Sequence, residues 1–155
     1  MCVEVDKQDL TEDDEWIPDN GISKGKSSVI VGGTNNNICA TSPKSFIGGG
    51  SGHKTLSAIS FIGGGCLNTI NKQGGVVVGG NRNISSGLYS FVGAGAGGSY
   101  NPGGPTTYYS NGNLPSGNFS SVINGGGSYQ YGSNQATGAW STILGGYANG
   151  ASGTM

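Results

Sequence analysis

A six-residue pattern that recurs seven times constrains this chain more than any other feature: Ser, apolar, aliphatic, any residue, Gly or Ala, Gly. Its first copy is Ser28-Val29-Ile30-Val31-Gly32-Gly33, and the later copies begin at Ser45, Ser60, Gly75, Ser90, Ser121 and Ser141. The heads lie 17, 15, 15, 15, 31 and 20 residues apart, so a period of 15 with insertions accounts for them, the interval of 31 reading as two periods plus one. A second mark, asparagine, follows eight residues after several heads, at Asn36, Asn68, Asn83 and Asn149.

A fixed period of this length is the signature of a stacked repeat architecture. The third position is always Ile or Val, which puts one β-branched residue per repeat into a stacked inner column, while the glycine pair provides a bend where a Cβ would clash. Asparagine tolerates positive φ and suits the corners between short strands. Helix is excluded, because each interior glycine costs about 1 kcal/mol relative to alanine and no 3.6-residue periodicity runs between the heads. With 33 glycines and 34% hydrophobic residues, the chain lacks the side-chain volume of an ordinary compact core. Without the period, the same composition would describe a disordered linker. The expected fold is an all-β parallel β-solenoid over residues 27–155, preceded by an acidic arm over residues 1–26, with 15-residue coils stacked at roughly 4.8 Å.

Each coil offers about two dependable apolar side chains to set against the entropy of ordering its backbone, so a lone solenoid of this girth gains little. Three chains packed side by side would bury a second column, Val29, Phe46, Phe61, Val76, Phe91 and Val122, along a common axis.

The serine-headed blocks and their Asn-containing turns, as in Gly79-Gly80-Asn81-Arg82-Asn83-Ile84-Ser85-Ser86-Gly87-Leu88-Tyr89-Ser90, resemble the head repeats of YadA-like trimeric autotransporter adhesins. Similar repeats occur in phage and giant-virus fibre proteins. The resemblance implies a trimeric, left-handed parallel β-roll that binds surfaces and catalyses nothing. The chain departs from the adhesin pattern in having acidic sequence where a signal peptide would stand, and no recognisable neck, coiled-coil stalk or membrane-anchor barrel. The expectation moves accordingly towards a virion or phage fibre that attaches to a host-surface glycan or protein. A bacterial adhesin head and a self-assembling extracellular filament are the alternatives. Ice binding, which flat solenoids can perform, is disfavoured because no Thr-x-Thr column recurs. No apolar run approaches the ~20 residues of a membrane span, and neither membrane insertion nor nucleic-acid binding is expected.

Enzymatic chemistry lacks its usual parts. From Asn20 onward there is no carboxylate side chain, and His53 is the single histidine. Paired carboxylates for glycoside hydrolysis, an acid behind a histidine and clustered oxygen ligands for calcium are therefore all missing from the body. The run Gly48-Gly49-Gly50-Ser51-Gly52-His53-Lys54-Thr55 imitates a phosphate-binding loop, but His53 separates Gly52 from Lys54, and the repeat already explains the glycines. Gly93-Ala94-Gly95-Ala96-Gly97-Gly98 is an equally weak dinucleotide lookalike. His53 reads as a solvated loop residue, and no cofactor or metal is expected. Asn83-Ile84-Ser85 and Asn118-Phe119-Ser120 match the glycosylation sequon by coincidence. Cys2, Cys39 and Cys66, an odd count without metal-ligand spacing, read as reduced thiols.

Two features remain as candidate sites. All seven tyrosines lie in the second half, and the insertion expected over residues 97–119 carries several of them. Tyr100, Tyr108, Tyr109, Tyr129 and Tyr131 would either contact a glycan or protein ligand or pack between protomers. The other is the acidic arm, which holds all eight carboxylates within its first 19 residues, while the body carries Lys24, Lys26, Lys44, Lys54, Lys72 and Arg82. Its cluster Glu12, Asp13, Asp14 and Glu15 reads as a solvated charge run, with weak calcium binding as the lesser reading. Trp16 and Ile17 follow as an apolar anchor, and the segment is expected to serve attachment or assembly by docking on positive charge.

Overall fold

The computed structural model describes residues 21–97, 99–100, 108–109, 112–126 and 133–153, and every element in them is a two-residue β-strand. Seven strands form one parallel sheet: β2 (Val29–Ile30), β4 (Phe46–Ile47), β6 (Phe61–Ile62), β8 (Val76–Val77), β10 (Phe91–Val92), β14 (Ser121–Val122) and β16 (Thr142–Ile143). The opposite face holds β1 (Ile22–Ser23), β3 (Asn37–Ile38), β5 (Lys54–Thr55), β7 (Thr69–Ile70) and β9 (Ile84–Ser85) as one parallel sheet. It continues through β13 (Leu114–Pro115), β15 (Gln135–Ala136) and β17 (Gly150–Ala151). The Ile84 amide donates to the Asn113 carbonyl at 2.9 Å across the junction between these two groups. The chain is thus a parallel β-solenoid of about seven turns, and it begins before Ser27, since Ile22 and Ser23 already pair with Asn37 and Ile38.

The inner column runs Ile30, Ile47, Ile62, Val77, Val92, Val122 and Ile143 in unbroken register. Ile47, Ile62, Val77 and Val92 pack with Ile38 and Ile70 from the opposite face, and Val122 packs with Ala136 and Ile143 in a second cluster. Much of the remaining interior is polar: the head hydroxyls of Ser60 and Ser120 each donate to a corner carbonyl, of Ser57 and Gly117 respectively, at 2.6 Å.

The register corrects the sequence reading in two places. Phe91 pairs directly with Ser121, and Val92 with Val122, so a single coil and not two separates these copies. Its true head is Ser120, thirty residues after Ser90, because an insertion as long as one coil interrupts it. Consequently Val122 stands in the buried inner column, Ile123 is exposed, and Ser121 takes the outer place expected for Val122. The insertion is also narrower than residues 97–119: the coil resumes at Gly112, whose amide donates to the Arg82 carbonyl at 2.7 Å.

The two glycines of each pair are not equivalent. At Gly65, φ is +94° and a Cβ would overlap the Gly80 carbonyl oxygen, whereas a Cβ at Gly64 would meet nothing within 4 Å. The sixth position therefore demands glycine and the fifth does not, which is why Ala94 and Asn124 can occupy the fifth.

Candidate interaction surfaces

A column of side chains closes the corner after the seven-stranded sheet, and it comprises Asn36, His53, Asn68, Asn83, Asn113, Asn134 and Asn149. Each corner leaves backbone groups outside the sheet ladders, and these side chains satisfy them. Asn68 Nδ2 donates to the carbonyls of Gly64 and Gly80, both at 3.0 Å, and its Oδ1 accepts the Asn83 amide at 2.9 Å. Asn83 repeats the arrangement with Gly79, Gly95 and the Asn113 amide, so the sequon asparagine is engaged and buried.

His53 is one of these rungs and not a solvated loop residue. It lies eight residues after its head, as the asparagines do in regular coils, and only 1% of it is exposed. Its Nδ1 accepts the Asn68 amide at 3.1 Å, so the proton resides on Nε2, which is buried without a hydrogen-bond partner. Burial holds its pKa below the usual histidine value, and the nearby carbonyls of Gly65 and Gly49 offset this in part.

The tyrosine-rich insertion begins as a two-stranded antiparallel ribbon, β11 (Ser99–Tyr100) and β12 (Tyr108–Tyr109), which sets Tyr100 opposite Tyr108 and Tyr109 opposite Ser99. It leaves the solenoid between Ala96 and Gly112. The next coil has a six-residue insertion between Gly126 and Asn134, and the parallel bridge from Ala96 to Gly126 places the two roots side by side at one corner. Tyr129, Tyr131 and the arm residues Glu12, Asp13, Asp14, Glu15, Trp16 and Ile17 lie outside the described residues.

The outer face of the seven-stranded sheet shows a pattern hidden in the linear sequence. The second and fourth positions of each copy both point outward, and they compensate one another: Val29 with Val31, Phe46 with Gly48, Phe61 with Gly63, Val76 with Val78, Phe91 with Gly93, Ser121 with Ile123, Thr142 with Leu144. Where the ring is large its neighbour is glycine; a Cβ on Gly48 would overlap the Gly63 carbonyl oxygen of the next coil and would also lie 3.3 Å from the Phe46 ring. Phe46 and Phe61 stack at 5.4 Å between centroids, and Val31 and Leu144 are 63% and 78% exposed. None of these fourteen positions is charged.

A further column occupies the corner before each head, at Ser27, Lys44, Ile59, Gly74, Tyr89, Phe119 and Trp140. Every member except Gly74 is a non-glycine residue with φ between 51° and 63°, and each amide from Lys44 onward donates to a carbonyl of the preceding coil. Tyr89 and Phe119 stack at 5.5 Å, and Phe119 and Trp140 at 4.2 Å, in an exposed ladder across the coils whose inner column is thinnest. Left-handed backbone is uncommon for bulky residues, so composition gave no hint of this ladder; its signal was position, immediately before each head.

Cys39 is disulfide-bonded and Cys66 is a free thiol, which corrects the expectation that all cysteines are reduced. No group of three or more His, Cys, Asp or Glu able to hold a metal occurs among the described residues, and no helix there is long and apolar enough to cross a membrane. No protein-family model matches the chain, and no curated protein or solved structure matches it.

Proposed function

We propose that this chain is a non-enzymatic structural and adhesive fibre segment, three copies of which pack side by side through the outer face of the seven-stranded sheet. The observation that carries the reading is the absence of charge from all fourteen outward positions of that face. The backbone already demands glycine at Gly48, Gly63 and Gly93, where a Cβ would overlap a carbonyl oxygen of the next coil, but a solvated surface has no reason to stay uncharged over seven coils, whereas a surface that must meet another closely does. Apolar side chains pointing away from the core, such as Val31, Val78 and Leu144, stay exposed unless a partner covers them.

In this reading the tyrosine ribbon and the neighbouring insertion are presented outward from one corner to a host-surface glycan or protein, and the fibre belongs to a virion or phage. A rigid scaffold with variable loops at one place is a common arrangement for recognition. The test is a Val78→Glu variant, which introduces a charge at the centre of the face without touching the core. Loss of the oligomer with the fold intact supports the reading, and an unchanged oligomer overturns it.

The second reading is an end-to-end filament. It is favoured by the strand order, which leaves β16 and β17 paired on one side only among the described residues. Electron microscopy distinguishes indefinite fibres from discrete rods.

A further inference from the structure

The sequence holds four Asn–Gly steps, at Asn20, Asn111, Asn124 and Asn149, and Asn124 and Asn149 are described residues. Such a step is chemically labile, because glycine has no side chain to shield its backbone nitrogen from the neighbouring carboxamide. Whether it reacts in a folded chain depends on where the asparagine side chain is held. The two described steps hold it differently.

Asn149 is a rung of the corner column. Its Nδ2 donates to the Gly145 carbonyl at 3.0 Å, its amide donates to Asn134 Oδ1 at 2.8 Å, and its carbonyl accepts the Gln135 amide at 2.8 Å. The carboxamide is thereby tied back to Gly145, and Gly150 opens β17.

Asn124 stands in the fifth position of its copy, where every other copy carries Gly or Ala. It is exposed, and its side chain makes one hydrogen bond among the described residues, its Oδ1 accepting the Gly125 amide at 2.7 Å. The coil does not need this side chain, since a Cβ at the equivalent Gly64 meets nothing within 4 Å. The glycine after it is needed, because a Cβ on Gly125 would overlap the Gly146 carbonyl oxygen. A dispensable, exposed asparagine thus precedes an obligatory glycine whose nitrogen is held against the carboxamide, and holding two reacting groups together lowers the barrier between them.

We infer that Asn124 is a site of self-modification, at which the Gly125 backbone nitrogen displaces the side-chain amide as ammonia and a carboxylate results. The nitrogen, its proton taken by hydroxide, bonds to Cγ; the Cγ–Nδ2 bond breaks, and Nδ2 leaves as ammonia with a proton from water. Water then opens the cyclic imide. Breaking the new Cγ–N bond yields aspartate, and breaking the original peptide C–N bond yields isoaspartate, whose main chain runs through Cβ and Cγ. Nothing is oxidised or reduced, and water is the only co-reactant.

Either product would be the first carboxylate side chain after Asp19, and it would directly follow Ile123 of the uncharged outer face. Isoaspartate also lengthens the main chain by one atom at a corner. There the Gly125 carbonyl accepts Asn113 Nδ2 at 3.4 Å, and the Gly126 amide, at the root of the second insertion, donates to the Gly146 carbonyl at 3.3 Å. The inference stands independently of the fibre reading.

The test incubates the full-length protein at neutral pH in heavy-oxygen water, so that imide hydrolysis labels the product, and reads each Asn–Gly peptide by mass spectrometry with fragmentation that separates isoaspartate from aspartate. Conversion of Asn124 several-fold faster than Asn149 is expected, with isoaspartate in excess, and the two rates should converge when the chain is unfolded in guanidinium chloride. Asn124→Gln, which moves the carboxamide one methylene further from the Gly125 nitrogen and still points into open space, should abolish the label in this peptide with the fold intact. An Asn124 that remains an amide in the folded protein overturns the proposal. So does conversion of Asn124 and Asn149 at equal rates in the folded protein, or a label that persists in Asn124→Gln.

Discussion

His53 Nδ1 accepts the backbone amide of Asn68 at 3.1 Å, the task that Asn68 Oδ1 performs for Asn83 at 2.9 Å. The imidazole thus stands in for an asparagine in the corner column. The substitution fails in one respect: an asparagine Nδ2 reaches two carbonyls, whereas His53 Nε2 has no hydrogen-bond partner. Protonation would add a hydrogen at Nδ1, facing the Asn68 N–H that it must accept.

A pH dependence follows. Because burial lowers the folded-state pKa of His53, the unfolded chain binds the proton more readily, with an ordinary value of about 6.5. Stability from this residue is complete above that value and declines as pH falls through it. Denaturant midpoints measured between about pH 8 and 5 should decrease on the acid side in the native sequence. In His53→Asn they should be higher and level. Parallel profiles for the two proteins would remove His53 as the cause.

Thr55 is a second polar interruption. Its hydroxyl is buried without a partner, and its register neighbours in the same column are Ile38 and Ile70. Thr55→Val keeps the shape and removes the orphaned hydroxyl, so it should stabilise the fold by about 1 kcal/mol. A loss of stability in urea unfolding would mean that the hydroxyl has a partner.

The glycine pair yields a paired prediction. Gly65→Ala forces a Cβ into the Gly80 carbonyl at a φ of +94° and should cost several-fold more stability than an ordinary surface change, of the order of 3 kcal/mol or more. Gly64→Ala has open space and should be neutral or slightly stabilising through the unfolded state. Circular dichroism melts of the two variants check this, and equal losses would contradict the distinction.

The same distinction explains where the sequence misled. The solenoid, its period and the inner column from Ile30 to Val92 follow from β-branched residues recurring between glycines. The copy near Ser121 reads one residue late because the pattern admits only Gly or Ala at its fifth place. Asn124 occupies the tolerant fifth place, and Gly125, at φ +97°, is the glycine that the corner demands. The interval after Ser90 misled for another reason. An insertion the length of a coil is indistinguishable by count from a coil, and only the pairing of Val92 with Val122 separates them.

Among candidate sites, the tyrosine insertion was legible because its composition breaks the repeat. The ladder of Tyr89, Phe119 and Trp140 was not, since those positions hold Ser, Lys, Ile and Gly in the earlier coils and show no residue preference. The outer face is half legible in the sequence: the second position stands out, whereas the fourth shows its outward place only in the packing of the coils, where Gly48 lies beside Phe46.

The central claim is that the uncharged outer face of the seven-stranded sheet is covered by further copies of the chain. Sedimentation equilibrium of the full-length protein at neutral pH tests it most directly. A single species of three times the 15.4 kDa chain mass is predicted, and a folded monomer that persists at high protein concentration would contradict it.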